Sequence, residues 1–195
     1  MTGALPSAFI TLGGAGSGKS TVSKQLSRMT GAVYLDKDTM SGALVQAALE
    51  ALEHDPTDRE SNPTYVERIM PLEYRTLFAV AADNLALGHS VVLDAPFVAY
   101  LDDPAFLTRS TVAAGWPATN VHVVHVRAPA EIVRARLQER GLDRDRAKLA
   151  DWDAYWARFG ERTCTWDGAH HATIRNVDAA QAAADLERLA IQTSA

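Results

Sequence analysis

Cysteine is almost absent from the chain, as are the segments that mark secreted and membrane proteins. Cys164 is the only cysteine among 195 residues, so no internal disulfide can form, and we expect a buried, inert thiol in a reducing compartment. Residues 1–6 lack the basic and apolar parts of a signal peptide. No uncharged apolar run is long enough to span a membrane. These absences favour a soluble cytoplasmic protein with no membrane partner.

Positive charge is also in short supply. The chain has 19 Lys and Arg against 24 Asp and Glu, which gives a formal net charge of −5. This balance repels a polyanion and disfavours nucleic acid as a partner, so any anionic ligand must be bound by a local site. The length is in the usual range for one domain. We therefore predict a single domain over residues 1–195.

One glycine-rich segment stands out. Residues Gly13 to Ser20 read GGAGSGKS and match the phosphate-loop pattern in full. An apolar, strand-like segment over residues 8–12 precedes them. A helical pattern follows, in which Val22, Leu26 and Met29 share one face. Strand, glycine loop and helix in this order indicate a nucleotide phosphate site.

The chemistry explains each residue type in the loop. Glycines let the backbone turn its N–H groups toward an anion at the positive end of a helix. Lys19 is placed to reach the β- and γ-phosphates, and Ser20 to place its hydroxyl on Mg²⁺, with Thr21 the weaker candidate for the metal. The predicted nucleotide-binding residues of this segment are Gly13, Gly14, Ala15, Gly16, Ser17, Gly18, Lys19, Ser20 and Thr21.

Strand-like and helical segments alternate along the chain, which predicts an α/β fold with a parallel sheet covered on both faces. The predicted strands end near Leu12, Leu35, Leu93, Val126 and Ile174. The predicted helices cover residues 19–29, 39–53, 64–87, 104–114, 129–140, 146–160 and 178–192. We expect Pro71 to kink the third of these helices. Ligands of such sheets bind beyond the carboxyl ends of the strands, so residues that directly follow strands are the candidates for function.

Two aspartates follow the second predicted strand, in Leu35 to Met40. Asp36 and Asp38 are spaced i, i+2, so they can point the same way from extended chain, beside the open side of the phosphate loop. Asp38 is a candidate for the carboxylate that accepts the proton of an acceptor hydroxyl. It could instead cap a helix that begins at Thr39. Asp36 is the second candidate for the base, or would hold substrate or metal-bound water.

A third aspartate ends the next predicted strand. Asp94 follows a run of mostly apolar residues, which is the usual form of the second nucleotide-site motif, whose carboxylate holds Mg²⁺ through water. We predict Asp94 and Ser20 as the metal site, and Asp36, Asp38 and Asp94 as the substrate side of the pocket.

Arginines supply the last predicted element. Arg136 and Arg140 share one helix face, where like charges repel unless an anion lies between them. The charged stretch that follows, Gly141 to Lys148, reads as a mobile lid, and we place the lid at about residues 134–148. We expect both guanidinium groups to lack a counter-ion and to bind the phosphates when the lid closes. The alternative is an ordinary solvated helix end.

Four segments together resemble a known group of enzymes: Gly13 to Thr21, Leu35 to Met40, Val91 to Phe97 and Ala128 to Lys148. They look like the small P-loop kinases that include gluconate kinase, chloramphenicol phosphotransferase, zeta toxins and the kinase domain of phage polynucleotide kinase. The resemblance implies a P-loop NTPase fold of nucleoside-monophosphate-kinase type. It implies a five-stranded parallel sheet in the order 2-3-1-4-5, helices on both faces, a helical lid, ATP and Mg²⁺.

The resemblance also implies site residues. In that group an aspartate after the second strand is the catalytic base, and Asp38 matches it, while lid arginines match Arg136 and Arg140. Lys19 completes the expected catalytic set. Polynucleotide kinase carries an arginine where this chain has Ser41, which disfavours a 5′-hydroxyl nucleic acid acceptor.

The expected function is transfer of the γ-phosphate of ATP to a hydroxyl of a small molecule, either an antibiotic or a metabolite. A 5′-hydroxyl nucleotide or polynucleotide kinase is the alternative. A non-catalytic nucleotide-binding switch is the alternative from a different class.

Overall fold

A five-stranded parallel sheet forms the centre of the protein. The computed structural model describes residues 4–59, 62–142, 145–160 and 162–193. The strand order is β2-β3-β1-β4-β5 with all pairs parallel, which confirms the predicted topology. The strands are β1 Ser7–Leu12, β2 Val33–Asp36, β3 Val91–Asp94, β4 Asn120–Arg127 and β5 His170–Arg175. Each ends within one residue of the predicted position, so the candidate site residues follow strands as expected.

Helices pack on both faces of this sheet. They are α1 Lys19–Thr30, α2 Lys37–Ala51, α3 Met70–Ala86, α4 Phe106–Ala113, α5 Ala130–Arg140, α6 Arg146–Ala150, α7 Trp152–Tyr155 and α8 Ala179–Thr193. A π-helical segment, Tyr65–Ile69, leads into α3, and another, Trp156–Gly160, follows α7. Among the helices in the described ranges, none has the length and apolar character needed to cross a membrane.

Two helices that the sequence predicts as continuous are interrupted. Before α3, the N–H of Met70 donates to the carbonyl of Tyr65, five residues back. This wide turn lies where the ring of Pro71 would otherwise clash with the carbonyl four residues before it. The helix predicted over residues 146–160 breaks at Asp151, whose side chain accepts the N–H of Ala154 at 3.3 Å and starts α7. A helix cap therefore replaces a continuous turn there.

The core has two layers, because alternate residues of the central strand point to opposite faces of the sheet. Ile10 packs with Leu77 of α3 on one face, and Phe9 packs with Leu26 of α1 and Leu186 of α8 on the other. Met29 departs from the prediction: it lies in the last turn of α1 and is 40% exposed, so the inward face of α1 ends at Leu26.

A buried carboxylate fixes the end of β5 against α8. Asp185 of α8 accepts the backbone N–H of Arg175 at 2.8 Å and its Nε at 3.1 Å, and also accepts from Gln181 at 2.9 Å. The hydrogen bonds from Arg175 hold the pKa of Asp185 down at about 2, against the opposing effect of burial. This network positions Asn176, the next residue along the chain, which contacts the phosphate loop.

We expect Asp185→Asn to lower the free energy of unfolding and to weaken the dependence of that free energy on pH in the acid range. The folded pKa of Asp185 is depressed, so its contribution is complete above the ordinary aspartate value and disappears as the pH falls toward 2. The variant should therefore lose up to about one proton from the slope of unfolding free energy against pH below about pH 4. Urea unfolding at a series of pH values measures this slope.

Asp103→Asn, which removes an exposed pair with Arg109, is the control and should change stability far less. An unchanged slope in Asp185→Asn would contradict the assignment.

Candidate active site

The glycine-rich loop joins β1 to α1 and runs in close contact with its surroundings. Gly16 and Gly18 have φ angles of +80° and +82°, a region that favours glycine. A Cβ atom on Gly18 would lie 2.1 Å from Nδ2 of Asn176, and one on Gly16 would lie 2.9 Å from a methyl group of Val133. Both backbone conformation and space therefore require glycine at these two positions.

The loop fits a phosphate group on two independent observations. The hydroxyl of Ser17 is buried and, within the described ranges, has no hydrogen-bond partner. The loop also leads directly into the first turn of α1, whose N–H groups point back toward it and carry the positive end of the helix dipole. An unsatisfied buried donor beside a helix N-terminus is a suitable environment for an anion.

Two side chains from other elements donate hydrogen bonds to backbone carbonyls of this loop. Asn176 donates from Nδ2 to the carbonyl of Ser17 at 2.7 Å. Arg136 of α5 donates to the carbonyls of Gly16 and Ser17 at 3.4 and 3.3 Å, and to the carbonyl of Asn176 at 3.1 Å. Arg136 therefore has partners in the loop itself and is not the free lid cation that the sequence predicts.

A chain of polar contacts leads from the loop to the second strand. Lys19 forms a buried ion pair with Asp94, and Asp94 also accepts from the hydroxyl of Tyr34 at 2.7 Å. The same hydroxyl lies 2.9 Å from Asp36, so one phenolic proton is shared between two carboxylates. Burial and these two carboxylates raise the pKa of Tyr34 far above its ordinary value, and it stays protonated. Asp36 and Asp94 are register partners in the pair formed by β2 and β3. The sheet therefore brings these two predicted site residues together.

Asp36 and Asp38 do not have the geometry that the sequence predicts. Asp36 is the last strand residue and the N-cap of α2, and it accepts the N–H of Thr39 at 2.9 Å. The alternative that Asp38 caps a helix starting at Thr39 is therefore wrong. Asp38 lies inside the first turn of α2, so the two carboxylates do not form an extended i, i+2 pair. The helix begins two residues earlier because Asp36 supplies the cap.

Asp38 is the exposed carboxylate of the site. Its side chain is 62% exposed, and its Oδ1 lies 2.9 Å from Nζ of Lys37 and 3.8 Å from Arg59. Partial burial raises its pKa, but the charges of Lys37, Arg59 and Lys19 outweigh that effect and lower the pKa below its ordinary value. Asp38 is thus ionised at neutral pH and acts as a hydrogen-bond acceptor only.

The second predicted lid arginine has a counter-ion. Arg140 donates from Nε and Nη2 to the carboxylate of Asp145 at 2.6 and 2.7 Å, and Asp145 is almost fully buried. The expectation that both arginines lack a counter-ion is therefore wrong for Arg140, which pairs with a buried carboxylate. The hydrogen-bond partners of Arg136 are backbone carbonyls, which carry no net charge. Residues 143 and 144 of the predicted lid lie outside the described residues. The contribution of Arg140 to phosphate binding stays a prediction.

Part of the region after α5 packs directly on the phosphate loop. Trp152 is buried against Val133 and Leu137 of α5, in a cluster that includes Ala15 of the loop and Trp156. Trp152 is therefore a core residue. Cys164 is likewise buried, which raises the pKa of its thiol to about 11 and confirms the expected inert cysteine.

Sequence reasoning missed a buried polar cluster beside Asp38, which we call the Glu73 cluster. It consists of Lys37, Ser41, Tyr65 and Glu73. Glu73 accepts from Lys37 at 3.0 Å, from Ser41 at 2.5 Å and from Tyr65 at 2.6 Å. A lysine next to the candidate base was visible in the sequence. Its partner was not, because Glu73 lies on another helix with no spacing that connects the two.

A cavity of about 300 Å³ opens beside the N-terminal turns of α1. Its walls come from α1, α5, the residue after β5 and α8. The lining includes Gly18, Thr21, Gln25, Arg136, Asn176 and Ala179. Thr21 and Arg136, both predicted as nucleotide-binding residues, therefore line one cavity next to the phosphate loop.

The sheet order, the loop and the buried Lys19 and Asp94 pair define a P-loop nucleotide-binding fold of kinase type. The family model AAA_33, described as AAA domain, matches residues 9–162, and the chain belongs to this family. A search of curated proteins finds no match.

Solved structures share the fold at low sequence identity. A presumed kinase from Chloroflexus aurantiacus is 19% identical with a TM-score of 0.66, covering 95% of this chain and 97% of that one. A sugar kinase from Janibacter is 17% identical with a TM-score of 0.61, covering 94% and 92%. The APS kinase of Mycobacterium tuberculosis, solved with AMPPNP and APS, is 18% identical with a TM-score of 0.54, covering 97% and 99%. The predicted fold and the resemblance to small P-loop kinases are confirmed.

Gly18→Ala should abolish nucleotide binding by the loop. The new methyl group would suffer both the positive φ angle and a 2.1 Å contact with Asn176. Gly88→Ala is the matched control: Gly88 has a φ of +83°, but nothing lies within 4 Å of its added Cβ. We expect titration calorimetry with Mg²⁺ and ATP to show at least a roughly hundredfold weaker affinity in Gly18→Ala and less than about a threefold change in Gly88→Ala, because the control carries only local strain. Equal effects in the two variants would contradict the account of the loop.

Proposed function

We propose that the protein transfers the γ-phosphate of ATP to a hydroxyl group of a small molecule. The observation that carries the proposal is the position of Asp38 in the first turn of α2, because the cap of this helix, Asp36, shares the hydroxyl of Tyr34 with Asp94, the partner of Lys19. A carboxylate that faces solvent on the helix linked to the phosphate-loop lysine in this way is suited to an acceptor hydroxyl. A nucleotide switch does not need such a group.

Three features support ATP as the donor. The loop has the glycines, the buried Ser17 hydroxyl and the helix N-terminus that suit phosphates. The cavity lined by Thr21, Arg136 and Asn176 adjoins this loop and has room for a nucleoside. The APS kinase that shares the fold was solved in complex with AMPPNP, an ATP analogue, and APS.

Each residue has a definite task in this proposal. Lys19 binds the β- and γ-phosphate oxygens and neutralises charge that develops during transfer. The acceptor oxygen forms a bond to the γ-phosphorus as the bond to the leaving ADP oxygen breaks, and the hydroxyl proton moves to Asp38. Ser20 and Asp94 would hold Mg²⁺, which draws charge from the phosphates when bound. Arg136 keeps the loop in shape, and Arg140 would act on the phosphates after leaving Asp145.

The acceptor side is bounded by charged groups of both signs. Asp38 lies 2.9 Å from Lys37 and 3.8 Å from Arg59, and Ser41 is already bound to Glu73. Such a polar surface suits a hydroxylated metabolite or antibiotic. A screen of hydroxylated metabolites, aminocyclitols and nucleosides for acceptor-dependent ADP formation identifies the substrate. ADP formation that no acceptor stimulates would contradict the proposal.

Lys19→Ala should remove phosphoryl transfer, and it should also lower stability, because it leaves the buried carboxylate of Asp94 without its cation. Lys19 is placed to act on phosphate oxygens, and loss of one such charge from a low-dielectric site typically costs about a hundredfold or more in turnover. Asp94 would lose its cation, so the double variant Lys19→Ala with Asp94→Asn keeps the site free of an unpaired charge and should be equally inactive. Turnover within about threefold of the wild type in either well-folded variant would refute the role of Lys19.

Asp38→Asn should reduce turnover by about a hundredfold, the usual cost of losing a general base, with little change in ATP affinity. Asp36→Asn is the comparison, because Asp36 caps α2 and should mainly affect stability. Steady-state kinetics, calorimetry with ATP and thermal unfolding separate the two roles. A larger loss of turnover in Asp36→Asn than in Asp38→Asn would reverse the assignment of the base.

A further inference from the structure

We propose that Lys37 is a positioning residue, which holds the carboxylate of Asp38 in the orientation needed to accept the proton of the acceptor. The inference rests on the proposed function and adds a residue to its machinery. It depends on the contacts of the Glu73 cluster, which join the first turn of α2 to α3 directly beneath Asp38.

Lys37 is a buried lysine with two carboxylate partners. Its side chain is only 4% exposed, and its Nζ contacts Glu73 at 3.0 Å and Asp38 at 2.9 Å. The same Nζ lies 5.8 Å from the ring centre of Tyr74, within the range of a cation and aromatic contact. The ammonium group therefore contacts two carboxylates and lies near one aromatic ring.

Glu73 in turn is held from two further sides. Ser41 donates to its Oε1 at 2.5 Å and Tyr65 to its Oε2 at 2.6 Å. Burial and Glu73 raise the pKa of Tyr65 well above its ordinary value, so Tyr65 remains a donor. The carboxylate of Glu73 is thus a fixed anchor on α3, and it fixes Lys37.

Asp38 itself has little to restrain it apart from this lysine and Arg59. Its side chain is mostly exposed, and an exposed carboxylate samples several rotamers unless a partner holds it. Successive residues of a helix do not normally face each other. The contact between Lys37 and Asp38 therefore reflects the inward path of Lys37 to Glu73, which leaves its ammonium beneath the neighbouring carboxylate. Oδ1 of Asp38 binds the ammonium, and among the described residues no contact is found for Oδ2, the oxygen that we assign to the substrate hydroxyl.

The test removes the ammonium together with its buried partner. Lys37→Met alone would leave Glu73 buried without its cation, a strongly destabilising change, so the main variant is Lys37→Met with Glu73→Gln. The matched control is Arg109→Met with Asp103→Asn, which removes one ion pair from an exposed surface of α4 and the turn before it. Both are measured in the wild-type protein and in Asp38→Asn. The assays are ATP turnover, with water or the acceptor from the screen, and the affinity for AMPPNP with Mg²⁺.

Lys37→Met/Glu73→Gln should lower turnover by about tenfold, as expected for loss of orientation of a catalytic group, with AMPPNP affinity within about threefold of the wild type. In Asp38→Asn the same pair of changes should cost less than about twofold, because Lys37 acts through Asp38. The control pair should leave turnover unchanged in both backgrounds.

Two results would overturn the inference. One is wild-type turnover in the folded Lys37→Met/Glu73→Gln protein, and the other is an equal loss with and without Asp38. Either leaves the proposed function standing if Asp38→Asn is itself impaired. Absence of AMPPNP binding by the wild-type protein would instead refute the proposed function, and this inference with it. Full turnover in Asp38→Asn would refute the role of Asp38 as base and therefore this inference, while phosphoryl transfer by the protein would stand.

Discussion

The buried carboxylate of Asp94 is the constraint on which the site depends. Only 2% of this residue is exposed, at the end of a central strand, and removing one partner of a buried ion pair typically costs about 3–5 kcal/mol. Lys19 and Tyr34 supply the partners that the buried carboxylate needs. Because Tyr34 also contacts Asp36, the cap of α2, the charge at Asp94 links the phosphate loop to the helix that carries Asp38. We infer that a phosphate group competes with Asp94 for the ammonium of Lys19.

The loop is supported as strongly from outside as from within. Asn176 and Arg136 donate to the carbonyls of Gly16 and Ser17, so these two acceptors already have partners within the protein. Asn176 is fixed because the preceding residue, Arg175, pairs with Asp185. The position of Asn176 against the loop thus depends on an ion pair between β5 and α8, which no motif of the loop reveals. Arg136 supports the loop in the same way, through hydrogen bonds to backbone carbonyls.

Local patterns predicted the parallel sheet and the strand ends that carry Asp36 and Asp94, since these features depend on the alternation of segments and on short motifs. The order of the strands was predicted from the family resemblance. The predicted placement of Asp38 failed because a cap at Asp36 starts α2 earlier than the run of apolar residues indicates. The partners of Arg136, Arg140 and Lys37 escaped prediction for a different reason. Each is a contact made by tertiary packing, with backbone carbonyls, with Asp145 or with Glu73, and residue spacing carries no information about it.

The most direct test of the central claim is a crystal structure of the protein with AMPPNP and Mg²⁺. The account predicts that the phosphates lie in the loop formed by residues 13–18, with Nζ of Lys19 moved from Asp94 to a phosphate oxygen and the γ-phosphate facing Asp38. A nucleotide bound elsewhere, or a Lys19 that keeps its contact with Asp94 and makes none with the phosphates, would contradict it.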